Sequence, residues 1–428
     1  MTVNRTLAPV AALLLSVAIL LTGQGLQFAL LPVRASLESF HSLAIGIMGA
    51  AYFFGFTVGC LGGGELVRRV GHVRVFLAMT AIASAAPLIH VLAVSPIAWA
   101  LLRMATGFCF ATLYIVIESW LNDRATNENR GLVFSTYSMI TLSVMAAGQM
   151  SMLLYPPTGA ELFILASVLV SFGAVPVALS TSPSPELPTK VSIDLRRLIE
   201  VSPSGALGCL ATGLANGAFW SLAPVFGTRV GGVEMAAVFM TAAVVGGAAA
   251  QWPLGVLSDK LGRRKILVAE ALVGSIIGIA LAMFSSSAGT LPLILLGTLW
   301  GAMAFPLYAI AVAYANDFAE PGEHVTLSSG LLLVYGIGAT VGPFVASALM
   351  GTKEAGSLFS FAAFVHIGLV CFVVIRYLRS GSIAGQPIEF ADALALAQTA
   401  SQIYEEESQN DQKKEPGEEP VNSASDPE

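Results

Sequence analysis

Long apolar runs alternate with short polar connections from Leu7 to Tyr377. A membrane-spanning helix needs about 20 mostly apolar residues. Twelve runs of that length can be counted, roughly at 7–31, 43–66, 75–94, 97–121, 132–154, 160–180, 203–227, 235–257, 266–285, 291–315, 327–350 and 355–377. The first follows Arg5, yet it is too long for a secretory signal and lacks a clear small-residue cleavage site. Its counterpart Leu207–Val225 opens the second set of six, so it reads as an uncleaved first span.

The pattern is written twice. Gly107–Asp123, GFCFATLYIVIESWLND, returns as Gly301–Asp317, GAMAFPLYAIAVAYAND, at an offset of 194 residues. Pro32 matches Pro224, Gly25 matches Gly217, and Gly71 matches Gly262 at nearly that offset. A repeat of about 190 residues is too long for a solenoid. It predicts an all-α membrane protein of twelve transmembrane helices in two pseudo-symmetric six-helix halves, with a site between them. The predicted division is a first half over 1–180, a linker over 181–202, a second half over 203–378 and a tail over 379–428. The linker carries Pro183, Pro185 and Pro188.

Composition agrees with a membrane protein: 55 % of residues are hydrophobic and 11 % charged, against about 25 % charged in soluble domains. Alternate connections hold the cations: Arg68, Arg69 and Arg74; Arg124 and Arg130; Lys190, Arg196 and Arg197; Lys260, Arg263, Arg264 and Lys265. The other set holds only Arg34, Arg229 and Lys353. The positive-inside bias therefore predicts a multi-pass inner (plasma) membrane protein with both termini cytoplasmic. The net charge of −6 comes from the tail, whose last 49 residues hold eleven Asp/Glu against Lys413 and Lys414. It does not argue for a basic partner, and a nucleic-acid partner is not expected. Residues 409–428 read as disordered, and Phe390–Tyr404 as an amphipathic helix on the cytoplasmic face.

Other chemistry is sparse. Cys60, Cys109, Cys209 and Cys371 lie in apolar runs without paired spacing and read as small buried hydrophobes. The five histidines are scattered and make no metal-ligand pair, and no phosphate-binding loop occurs. Neither an enzyme, a pump, a metal nor a cofactor is expected.

The strongest short motif lies between the eighth and ninth spans: Gly255-Val-Leu-Ser-Asp259-Lys260-Leu-Gly262-Arg263-Arg264-Lys265. Its glycine, acid four residues on, second glycine and basic cluster resemble the loop signature of the major facilitator superfamily. Arg103 and Gly107, four apart on the fourth span, resemble another of its motifs. The resemblance covers about residues 7–378. The stretch Arg103–Gly131, RMATGFCFATLYIVIESWLNDRATNENRG, is similar to the YcaD-like branch. It implies a secondary active transporter moving a small organic solute by alternating access, coupled to protons, with the bilayer, solute and proton as its partners and a monomer as its state. Uptake and efflux remain open. Drug/proton antiporters carry Gly-Pro on the fifth span where this chain has Gly148-Gln149, while Gly342-Pro343 stands on the eleventh. A transporter fold kept as a sensor or scaffold is the rival reading.

The resemblance assigns the cavity to the first, fourth, seventh and tenth spans. That gives Gln24, Gln27 and Phe28; Arg103, Phe110 and Tyr114; Asn216, Phe219 and Trp220; and Trp300, Phe305 and Tyr308, with Tyr52 and Tyr335 within reach. On the fourth span Arg103, Gly107, Phe110, Tyr114 and Glu118 share one face. Glu118 is the proton-coupling candidate, with an interfacial acid as its bland alternative. A structural hub is the alternative for Arg103, since a cation in hydrocarbon is costly and must face protein or water. For the cytoplasmic gate, the family's acid is replaced in the first copy, Gly64-Glu-Leu-Val-Arg68-Arg69-Val-Gly71, by Arg68. At the repeat offset, Glu323-His324 stands where the first half has Asn129-Arg130. Two cross-half pairs follow, Asp259 with Arg130 and Arg68 with Glu323, near Gly262 and Arg263. Glu65 is the alternative substitute acid.

Overall fold

A computed structural model describes residues 10–124, 130–179, 185, 189–190, 194–320, 323–350, 356–380, 390 and 404–405; of 130–132, 189–190, 380 and 404–405 it describes the backbone alone. It is built almost wholly of helices: α1 Ala11–Leu37, α2 Ser42–Val70, α3 His72–Leu92, α4 Pro96–Arg124, α5 Arg130–Met150 and α6 Glu161–Gly173 in the first half. The expected helix over 390–404 and the expected disorder of 409–428 fall mostly or wholly outside the described residues.

The second half opens with one continuous 59-residue helical run, Pro203–Leu261. At 1.5 Å per residue this would be about 90 Å long, far more than one crossing. Gly231 (φ −162°, ψ 20°) and Gly232 (φ 78°, ψ −170°) break it. Residues 203–230 form α7 and residues 233–261 form α8. Then follow α9 Arg263–Phe284, α10, α11 His324–Met350 and α12 Ser357–Ser380. Helix α10 comes in two pieces, Thr290–Ala304 and Pro306–Asn316. Pro306 has no N–H to donate and its ring crowds the preceding turn, which parts them. Among the described residues, the eleven helical runs long and apolar enough to span a membrane thus contain twelve crossings.

Close helix contacts repeat the sequence duplication. Gly107 of α4 lies against the Tyr52 carbonyl of α2, and Gly301 of α10 against the Ala243 carbonyl of α8. Gly148 of α5 meets Thr22 of α1 as Gly342 of α11 meets Leu214 of α7. Gly25 faces Met145 as Gly217 faces Ala339. Every one of these positions recurs at an offset of 191–194 residues. Glycine lets backbones approach where apolar side chains gain nothing by leaving lipid. The turns after α2 and α8 match too: Gly71 and Gly262 both have φ +94°, a conformation that glycine adopts without strain.

The halves meet through α2 against α11 and through the α7–α8 run against α1, α2 and α5, with the closest approaches at the end away from the basic loops. There Gly46 of α2 abuts Ser347 and the Pro343 carbonyl of α11, and Gly49 abuts Ser221 of α7. Arg229 donates to Ser42 Oγ at 3.1 Å, and Thr241 to Gln149 Oε1 at 3.4 Å. Arg34 is held by the carbonyls of Pro157, Thr158 and Gly159. Arg34 also pairs with Glu38 at 2.6 Å, so the two described cations at this end are both held by named partners, Arg229 by one across the halves.

Candidate functional site

A cavity of about 360 Å³ lies between the halves. Phe28 and Trp220, with ring centroids 5.4 Å apart, form its floor near the tightly packed end. Its walls run toward the basic end along α2, α4, α5 and α11, reaching Leu61, Glu118, Tyr137 and Leu332.

A hydrogen-bonded relay crosses the inner wall. Tyr114 Oη donates to Gln24 Oε1 at 2.9 Å, and Gln24 Nε2 donates to Tyr52 Oη at 2.6 Å. One glutamine thus fixes two phenols from two other helices, and each phenol keeps an oxygen lone pair for a ligand. Nearer the basic end Tyr137 Oη donates to Glu118 Oε1 at 3.4 Å. Glu118 is the only acid that lines the cavity among the described residues, and it is 1 % exposed.

Arg103 sits behind this wall. Its guanidinium lies 4.1 Å from the centroid of the Tyr52 ring and 5.2 Å from that of Phe28. The side chain is buried, and no carboxylate among the described residues pairs with it. Two ring faces take the place of an anion, an arrangement whose strength grows as water is removed. Arg103 does not line the cavity; it touches the two rings that do.

Of the residues expected at the cavity, Gln24, Phe28, Tyr114, Glu118 and Trp220 line it, as do Tyr52 and Tyr335. Gln27, Phe110, Asn216, Phe219, Trp300, Phe305 and Tyr308 do not. Gln27 turns back to the Gly23 carbonyl at 3.4 Å, and Asn216 reaches the Ala304 carbonyl at 3.5 Å. Phe110 is core. Phe219 stacks on Trp300 at 4.8 Å, Phe305 stacks on Trp220 at 5.6 Å, and Tyr308 leans on Tyr335 at 4.8 Å. The second-half rings thus pack on one another instead of facing the cavity. Most of the cavity lining comes from the first half. The sequence reading missed Phe53, Phe56, Thr57, Cys60, Leu61, Tyr137 and Gln251. Gln251, an amide in an apolar span, was the one signal available.

At the basic end the charges pair within their own half. Arg68 reaches Glu65 Oε2 at 2.6 Å, and Arg69 reaches Glu65 Oε1 at 2.6 Å. Glu323 is held by Arg197 of the linker helix Leu195–Val201, which also binds Glu320 at 2.9 Å. The paired Arg197 holds the Glu323 carboxyl below the usual carboxylate range, and the two acids hold Arg197 above its ordinary value. The expected Arg68–Glu323 pair is thus absent from this conformation. The Arg68 side chain is 58 % exposed and takes its partner Glu65 one helical turn away, while Glu323 takes Arg197 of the linker helix, 126 residues distant in the chain. The side chain of Arg130 lies outside the described residues. Asp259 binds Arg263 at 3.0 Å, and Arg263 also faces Asp317 at 3.0 Å.

Comparison with known proteins bears on the fold and the family. The family model described as Major Facilitator Superfamily matches residues 13–232 and 205–401. The chain is 28 % identical over 386 residues to the uncharacterized MFS-type transporter YcaD of Salmonella typhimurium, covering 89 % of this chain and 98 % of the relative; the Salmonella heidelberg protein of that name matches to the same extent. Among solved structures, the nucleoside transporter NupG superposes with a TM-score of 0.71 at 13 % identity, over 86 % of this chain and 98 % of that one. A bacterial homologue of the human lysosomal transporter Spinster, in an inward-facing and unoccupied conformation, gives 0.68 at 14 % identity, over 94 % and 99 %. With its duplicated six-helix halves and the cavity between them, the chain belongs to the major facilitator superfamily of secondary transporters.

Proposed function

We propose that this chain carries a small, largely apolar organic solute across the inner membrane by alternating access, coupled to proton movement through Glu118. The observation that supports this reading is the cavity itself. Its lining is mostly rings and aliphatic side chains, with the Gln24–Tyr52–Tyr114 relay at one wall and a single acid at another. Such a lining suits a ligand of a few apolar groups with one or two hydrogen-bonding atoms. A carboxyl among rings and phenols is suited to take up and release a proton as the cavity opens to either side.

In this reading the basic end is cytoplasmic, which the distribution of Lys and Arg supports, and both termini lie on that side. The chain then stands open to the cytoplasm. Closing that face would bring Arg68 to Glu323 and Asp259 to Arg130, exchanging the pairs within each half for pairs between halves. Proteoliposomes test the coupling. Glu118→Gln should abolish accumulation driven by a pH gradient while sparing exchange of solute across the membrane. Accumulation that persists with wild-type pH dependence would assign the proton to another group.

A further inference from the structure

The tail sends one described residue back to the helix bundle. Phe390 is 2 % exposed and belongs to the apolar cluster that includes Leu198, Leu327 and Leu331. Its ring lies so close to Gly255 of α8 that a Cβ there would overlap it. Its backbone N–H donates to Asp259 Oδ2 at 3.1 Å. The other oxygen of Asp259 accepts from Arg263 Nη2 at 3.0 Å.

These contacts fall on the loop motif itself. Gly255 and Asp259 stand one helical turn apart and share a face. The glycine supplies the cradle for the ring, and the acid supplies the anchor for the backbone. Both carboxylate oxygens of Asp259 are engaged on their own half while Phe390 is docked. A second contact holds the tail nearby: Thr189 and Lys190 of the linker pair antiparallel with Glu405 and Tyr404.

We propose that Phe390 is a wedge built into the tail. Docked between Gly255 and Asp259, it keeps the acid of α8 from the first half and favours the conformation open at the basic face; it must leave before that face closes. This rests on the reading of Asp259 as a latch toward Arg130. The tail then sets the balance between the two conformations, and any partner that binds the tail gains a handle on transport.

Cys60 lines the cavity and can report the balance. The full-length chain with Cys109, Cys209 and Cys371 replaced by serine would be held in lipid nanodiscs, and the rate at which a polar maleimide modifies Cys60 measured. Phe390→Ala and Gly255→Ala should each slow modification at least threefold. Phe390→Leu, which keeps apolar volume, should return most of the parent rate. Asp259→Lys repels Arg130 whatever the tail does, so it should leave modification as fast as in the parent or faster, even beside Phe390→Ala. Parent rates in both Phe390→Ala and Gly255→Ala, with faster modification in Asp259→Lys, would overturn the wedge and leave the latch standing. Slow modification in Phe390→Ala that Asp259→Lys does not reverse would overturn the latch, and the wedge as stated here with it. No change in any variant would overturn both.

Discussion

Gln24 holds two hydroxyls with one amide, so its loss is felt twice. Gln24→Leu keeps the volume and strips both partners from Tyr52 and Tyr114. A hydrogen bond contributes about 1 kcal/mol net, and an orphaned buried partner costs more. Ligand binding should therefore weaken by roughly tenfold or more, measured by titrating the purified protein with hits from a thermal-shift screen of metabolites, since a ligand that binds the native state raises its stability. Arg103 acts one layer back. Arg103→Gln removes the charge that rests on Tyr52 and Phe28 while leaving the cavity lining in place. It should abolish flux and leave insertion and melting temperature close to wild type; collapse of the folded protein would instead make Arg103 a structural hub. The sequence named Arg103 because a cation inside hydrocarbon is conspicuous. It could not show that Tyr52 stands between that cation and the cavity, because this depends on how α2 and α4 pack.

At the scale of elements, the duplicated glycines are the legible part of the fold. Gly107 and Gly301 each face a carbonyl of a neighbouring helix, and backbone cannot yield as a side chain can. Gly107→Ala and Gly301→Ala should each destabilise by about 1–3 kcal/mol, the usual cost of overpacking. Gly62, with nothing within 4 Å of an added Cβ, should accept alanine with a gain of up to about 1 kcal/mol from helix propensity. Melting temperatures in one detergent compare all three. The linker helix offers a pH test. Glu323 is held below the ordinary carboxylate range by Arg197, so it contributes stability that is present above about pH 4.3. That contribution fades as pH falls through the lowered value. The melting difference between wild type and Glu323→Gln should therefore vanish in acid, and shrink in high salt because the pair is exposed. Sequence reading put the acid at this end but did not show the partner it takes in this conformation, Arg197. Arg197 lies in a linker helix whose docking no repeat position announces.

For the whole molecule, twelve crossings and two halves were written in the apolar runs and the 194-residue offset. Which side stands open was not. Both conformations of such a carrier use the same sequence, and the choice rests on a small difference between contacts at its two ends. Nor was the lopsided cavity legible, since it depends on how the second-half rings Phe219, Trp300 and Phe305 pack on one another. The gate pairs belong to this scale as well. Arg68→Glu should place two acids together when the basic face closes and so hold it open; adding Glu323→Arg should restore the balance, read by Cys60 accessibility. A double variant no closer to wild type than the single one would mean that the two residues never meet.

Coupled flux tests the account most directly. Wild-type and Glu118→Gln proteins would be reconstituted in liposomes enclosing a pH-sensitive dye, and a ligand found by thermal shift added outside. Ligand-dependent proton movement is expected with the wild type, none with Glu118→Gln, and counterflow of labelled ligand with both. A ligand that binds the wild type but crosses the membrane with neither protons nor counterflow would contradict it, and would make the chain a sensor in a transporter's fold.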